Sequence, residues 1–325
     1  MKKTFFLTFV LASGFIFTSC KKDKETVVVR PELEAQTQTQ VDDNNQLKAE
    51  DDAITDELKN SLENIKGFSG GRLAADSSIC GCSVDKSNLF SQKELTFNFD
   101  GTTLCGSPRR IRSGVIKVKL VEGRKWKDSA AVMGIWFIDF KVKRFEPNRT
   151  WTLNGYKTVE NILGTGSNRW DNFSSGNAVF QYKERAKDIK ISFLPDAATI
   201  PFQMTYSLAR ISEVSTKEKA GLRRIFFKID GDTAFGGIDK VDSWGISRNG
   251  TTFTNNFLSP WISDGYCGFG QPNSGQFVHK TGGNTVSILL GVNQSGDPNT
   301  ATCAYGYKIN WTTSGGVQGN KVIIY

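Results

Sequence analysis

The chain has 325 residues, 41 Lys and Arg against 33 Asp and Glu, a formal net charge of +8 and a single histidine. One imidazole excludes a multi-histidine metal centre, and a Ser/His/Asp triad would have to use His279. Glycine is frequent at 32 and proline scarce at 8, beside 23 Phe and 7 Trp, which favours many short strands joined by tight turns.

Met1 to Ser19 reads as a secretory signal, with Lys2 and Lys3 ahead of an apolar run from Phe5 to Phe17 and a small residue before the cut. Thr8, Ser13 and Gly14 interrupt that run, which is shorter than the roughly 20 residues a spanning helix needs. The ending Phe17-Thr18-Ser19-Cys20 resembles a bacterial lipobox. The resemblance implies that Cys20 becomes the new N-terminus and carries acyl chains, palmitate among them. Each buried methylene contributes about 0.8 kcal/mol and one chain binds only marginally, so several chains hold stably. The absence of aspartate after Cys20 resembles release to the outer membrane of didermal bacteria. Lys21-Lys22-Asp23-Lys24-Glu25 is similar to the surface-export tag of Bacteroidota-type lipoproteins, and its lysines would equally be drawn to anionic headgroups. The expected address is an outer membrane lipoprotein, periplasmic or surface-facing, held to the membrane through the lipid at Cys20.

Residues 20–50 are poor in large apolar side chains and predict a lipidated, disordered tether. Ile54, Leu58, Leu62 and Ile65 then form one apolar stripe, which predicts a short amphipathic helix over 51–66 with acids crowding its first turns. Residues 31–70 carry about seven excess negative charges and residues 71–325 about eleven excess positive ones. Outside the inner membrane the nearer polyanions are lipopolysaccharide, acidic glycans and the membrane surface rather than nucleic acid, and such an excess also serves solubility; the expected partners are glycan or another surface protein.

From residue 78 the period changes to two. Leu95, Phe97 and Phe99 alternate with polar residues, as do Ile116, Val118 and Leu120, and Trp136, Ile138, Phe140 and Val142 continue the pattern. Asp100-Gly101, Glu122-Gly123 and Asn154-Gly155 read as turns, the last as a two-residue hairpin with arms Trp151-Thr152-Leu153 and Tyr156 to Val159. Further strands are expected at 178–182, 189–193, 202–208, 225–229, 277–280, 286–290, 305–311 and 321–325. The fold class is therefore all-β, with antiparallel meander sheets forming a sandwich or a strongly curved open sheet. The β domain spans 78–325, with 78–200 and 201–325 as possible halves.

The series Leu95 to Asp100, Cys105-Gly106, Arg109 to Val118 and Leu153 to Asn161 resembles a hairpin unit of uncharacterised Bacteroidota-type lipoproteins. The likeness is clearest over 95–163 and faint over 267–325. It implies fold and address, with no assigned activity.

Five cysteines remain after Cys20, an odd number suited to an oxidising compartment. The economical pairing joins Cys105 to Cys80 or Cys82, with Cys82 the nominated candidate, and Cys267 to Cys303. Gly67-Phe68-Ser69-Gly70-Gly71 spells a nucleophile elbow but follows a helix where the motif needs a strand. No catalytic residue and no cofactor is nominated. Asp230 and Asp232 offer oxygens suited to calcium without completing a ligand loop. Trp126, Trp170, Trp244 and Trp261 lie near polar or glycine-rich turns, Trp126 and Trp244 being the indoles expected to stack on a sugar, and Arg110 and Arg112 belong to a basic stripe for anionic glycan. The expected function is a non-catalytic binding or structural β domain on a tether. The alternatives are a carbohydrate-active or other hydrolase and a subunit of a surface assembly.

Overall fold

The computed structural model describes residues 47–62, 65, 68, 79–106, 109–145, 148–164, 179–195, 199–219, 221–268 and 271–325. Cys20, the tether up to residue 46 and Trp170 lie outside them. Helix α1 occupies residues 47–62, beginning within what the sequence assigns to the tether. Then come β1 (Cys82–Asp85), the short helix α2 (Leu89–Gln92) and β2 (Glu94–Asp100). Five long strands follow: β3 (Arg110–Glu122), β4 (Ala131–Phe145), β5 (Asn148–Asn161), β6 (Val179–Leu194) and β7 (Phe202–Lys219). The chain continues through β8 (Leu222–Gly231), β9 (Thr233–Phe235), β10 (Ile238–Ile246) and β11 (Thr252–Asp264). It ends with β12 (Pro272–Thr281), β13 (Asn284–Val292), β14 (Gly306–Thr312) and β15 (Gln318–Ile324).

Among the described residues, all the strands belong to one antiparallel sheet whose path runs from β1 to β15 without closing. The pairing crosses residues 200 and 201 without a break, because β6 and β7 pair over most of their lengths. Sequence neighbours pair throughout, apart from one irregularity. Between β7 and β11, β8 and β10 lie end to end and together fill one strand position. The chain leaves that position at Gly231, makes the β9 excursion and returns along β10. Gly231 is needed at the crossing, since a Cβ there would stand 2.0 Å from the carbonyl oxygen of Lys240.

β3 to β7 run 13 to 18 residues each, and bulges interrupt each of their four pairings. The irregularities fall at Ser113/Val115, Leu120/Glu122, Phe137/Phe140, Asn154/Lys157 and Ala186/Ile189. A bulge bends its strand and strengthens the local twist. Asn154-Gly155 belongs to this set: β5 passes straight through it, so the hairpin expected there is absent. The Asn154 side chain accepts from the Asp139 backbone N–H at 2.8 Å and donates to the Asp139 carboxylate at 3.0 Å, which fastens the bulges of β4 and β5 together.

The inner face of this sheet holds α1. Leu47, Ile54, Leu58, Leu62, Ile65 and Phe68 are buried and share one apolar cluster with residues of β2 to β7, among them Phe97, Val118, Ile135, Trp151, Val159 and Leu208. The stripe Ile54, Leu58, Leu62 and Ile65 thus packs inward as its spacing requires. At about 1.5–3 kcal/mol per large apolar side chain, this face gives the helix a tertiary stabilisation that a sixteen-residue peptide alone lacks. A second, smaller cluster centres on Val286, Ile288, Leu290 and Ile309, with Trp261, Phe277, Tyr307, Trp311 and Ile323 against it. Among the described residues no helix is long and apolar enough to cross a membrane.

Candidate functional site: an acidic helix inside a basic sheet

The inward positions of β3 to β7 are mostly apolar, and their charged exceptions form one band. Arg112 shares its face with Ile116 and Val118, Arg144 with Phe140 and Val142, Lys157 with Leu153 and Val159, Glu184 with Phe180 and Tyr182, and Arg210 with Leu208 beside it. The acids of α1 meet this band one by one. Glu50 pairs with Arg144, and Asp52 pairs with Arg210. Both Asp51 oxygens accept from Lys157 Nζ, at 2.7 and 2.8 Å. Glu57 accepts from Arg110 at 2.9 Å and from both terminal nitrogens of Arg112. In the other direction, Lys48 of the helix donates to Asp242 of β10 at 2.8 Å.

Glu184 ties the band together, facing Lys157 at 3.4 Å and its cross-strand neighbour Arg210 at 3.1 Å. Burial alone would raise its pKa, but Arg210, Lys157 and Lys59 outweigh burial and hold the carboxyl well below the usual range. Its contribution to stability is therefore present above the ordinary glutamate pKa and is lost only as pH falls through the depressed value. Lys59 sits 4.5 Å from the Tyr182 ring centroid and pairs with Asp56 at 2.6 Å. Asp51, Asp52 and Glu184 place carboxylate oxygens within 4.8 Å of one another, a spacing that could hold a metal ion. Their oxygens are already engaged by Lys157 and Arg210, so the cluster is built as an ion-pair knot.

The structure redistributes the residues nominated from sequence. Arg110 and Arg112 do not form a surface stripe: Arg112 is 2 % exposed and both guanidiniums are spent on Glu57. Trp126 is fully buried, stacked on Tyr182 at 6.1 Å between ring centroids, because its loop folds back and its backbone N–H donates to the Phe68 carbonyl. It cannot present an indole to a sugar. Trp244 is half-buried and stacks on Phe235 at 4.9 Å. Asp232 pairs with Arg185 and Lys183, and Asp230 pairs with Lys240 at 3.4 Å, so these two carboxylates are matched by cations of the protein.

Cys267 bonds Cys303 as expected, and Cys105 takes Cys80. Cys82, the nominated partner, keeps its thiol. It belongs to β1, opposite Phe99, whereas Cys80 sits in the preceding turn with its Cα 5.9 Å from that of Cys105.

His279 is buried, with Nδ1 2.8 Å from the Asn255 side-chain oxygen and its ring stacked on Phe253. Burial pushes its pKa down to about 4 from an ordinary 6.5. The unfolded chain therefore binds the proton first, and this group costs the fold about 3 kcal/mol as pH falls from 6.5 to 4. A His279→Gln variant should show a flatter dependence of Tm on pH across that window; an unchanged slope would contradict the assignment.

The acids of the helix escaped the sequence reading because acids in a first turn also suit an exposed helix N-terminus. The signal was nonetheless present, since each of several inward-facing strand patterns contains one charged residue among apolar ones.

The chain matches no family model, no curated protein and no solved structure. Its function is read from its own geometry.

Proposed function

We propose that this protein is a lipid-anchored cell-envelope lipoprotein of the outer membrane that presents a non-catalytic binding or structural β domain on a tether. The observation that carries the reading is the integration of α1 into the sheet, since this helix is the element that connects the segment beginning at Cys20 to the fold. Five basic side chains of β3, β4, β5 and β7 hold its acids. A pull on an acylated Cys20 would therefore be delivered into the core of the β domain. The lipobox-like Phe17-Thr18-Ser19-Cys20 supplies the anchor, and acyl chains at Cys20 supply the membrane affinity.

Cys20→Ser should shift the protein from the membrane to the soluble fraction and abolish incorporation of labelled palmitate. A variant that still sediments with membranes would remove the anchoring role from Cys20.

A further inference from the structure

Three turns of the sheet gather at one end. The first joins β4 to β5 past the Phe145/Asn148 pair, and the second joins β6 to β7 past Phe193/Phe202. They are neighbours, since Thr150 of β5 stands opposite Leu194 of β6. Arg248, from the turn between β10 and β11, lies 4.8 Å from the Phe193 ring centroid and 5.5 Å from that of Phe202. Apolar side chains are exposed along this rim, Ile200 at 77 % together with Phe145 and Phe202. Arg109 and Lys143 approach the Phe145 ring at 5.9 and 5.3 Å. Counted from the sequence, the first two turns also hold Glu146 and Asp196, which leaves the four cations Arg109, Lys141, Lys143 and Arg248 in excess.

An open cleft of about 420 Å³ lies on the outer face where the first two turns adjoin. Lys141, Thr152 and Ser192 form one row across β4, β5 and β6, with Lys143 next along β4 and with Leu194 and Pro201 as an apolar edge. Both lysines are exposed, so a ligand can reach them. Their ammoniums only donate and the hydroxyls donate or accept, and among the described residues no carboxylate lines the cleft. An oxyanion is therefore the solute this wall matches best. A soluble polyanion would engage the lysines but leave Ile200 in water, whereas the headgroup boundary of an anionic bilayer receives cations and apolar side chains together.

We infer that this rim is the face the protein lays on an anionic bilayer, with Ile200, Phe145 and Phe202 entering the headgroup boundary and Lys141 and Lys143 taking a lipid phosphate into the cleft. The inference rests on the lipid-anchored reading above. Glu50, in the first turn of α1, pairs with Arg144, the residue before Phe145, so the segment leading from Cys20 joins the fold beside the rim. A contact too weak to hold alone then suffices, because an anchored domain meets the bilayer at high effective concentration.

The test floats the full-length protein on phosphatidylcholine vesicles with and without phosphatidylglycerol and reads the acylation of individual lysines by a water-soluble amine reagent. On phosphatidylglycerol vesicles Lys141 and Lys143 should react about tenfold more slowly than on phosphatidylcholine, while Lys321 of β15 keeps its rate. Ile200→Asp, at an exposed position that leaves the fold intact, should restore the reactivity of both, and Lys321→Glu should leave their protection in place. Flotation on both vesicles without that protection overturns the inference and leaves the anchor standing. Flotation that needs phosphatidylglycerol and is lost in Ile200→Asp upholds the rim and removes the anchor, and no flotation on either vesicle removes both. The inference is also overturned if dextran sulfate protects the two lysines as fully and regardless of Ile200→Asp, which makes the cleft a polyanion site, or if protection appears without vesicles as protein concentration rises, which makes the rim a contact between copies.

Discussion

Lys157→Met should lower the free energy of unfolding by about 3–5 kcal/mol, the range observed when one partner of a buried ion pair is removed. The Lys157 side chain is fully buried and is the described cation that holds both oxygens of Asp51, itself buried. Glu184 keeps Arg210 in the variant, but Asp51 is left as an uncompensated buried carboxylate. The same substitution combined with Asp51→Leu should recover most of the loss, because replacing both charges with apolar groups of similar size is often neutral. Urea unfolding of the single and double variants gives the coupling directly. A single variant that loses less than about 1 kcal/mol would show that water reaches the pair and that this ion pair does little to hold the helix.

Trp126→Ala should cost a further large amount, about 3–5 kcal/mol, as expected for emptying a fully buried tryptophan site. The indole stacks on Tyr182 and its loop is pinned at both ends. The Trp126 N–H bonds the Phe68 carbonyl at 2.9 Å, and the Trp126 carbonyl accepts from Asn161 at 2.9 Å. The loss should appear in the denaturant midpoint. A variant of native stability would mean that the loop swings outward in solution.

How far the sequence revealed this molecule varies with the feature. Period-two alternation located β2 and β3 and the turns after Asp100 and Glu122, because strands with one buried face must alternate. It fragmented the long strands. β6 reads as two pieces, 178–182 and 189–193, because the bulge near Asp188 shifts the inward parity, yet its backbone pairs with β7 on both sides of the bulge. Asn154-Gly155 carries the chemistry of a hairpin turn, and only the partner side chain of Asp139, supplied by another strand, decides that it bends a strand instead. The excursion at Gly231 has no local signature, since a close backbone crossing is a tertiary fact. The apolar stripe of α1 was legible, whereas the fate of its acids depended on strand parity elsewhere. The basic, apolar-tipped rim draws on the turns after β4, β6 and β10, so no stretch of sequence contains it.

The central claim is that α1 is part of the β domain's core. Native-state hydrogen exchange of the full-length protein tests it most directly, because helix amides that open only with the sheet exchange only on global unfolding. Amides of residues 51–62 should exchange as slowly as those of β5, β6 and β7, and Lys157→Met should speed both sets together. Helix amides that exchange freely while the central strands stay protected would contradict the account.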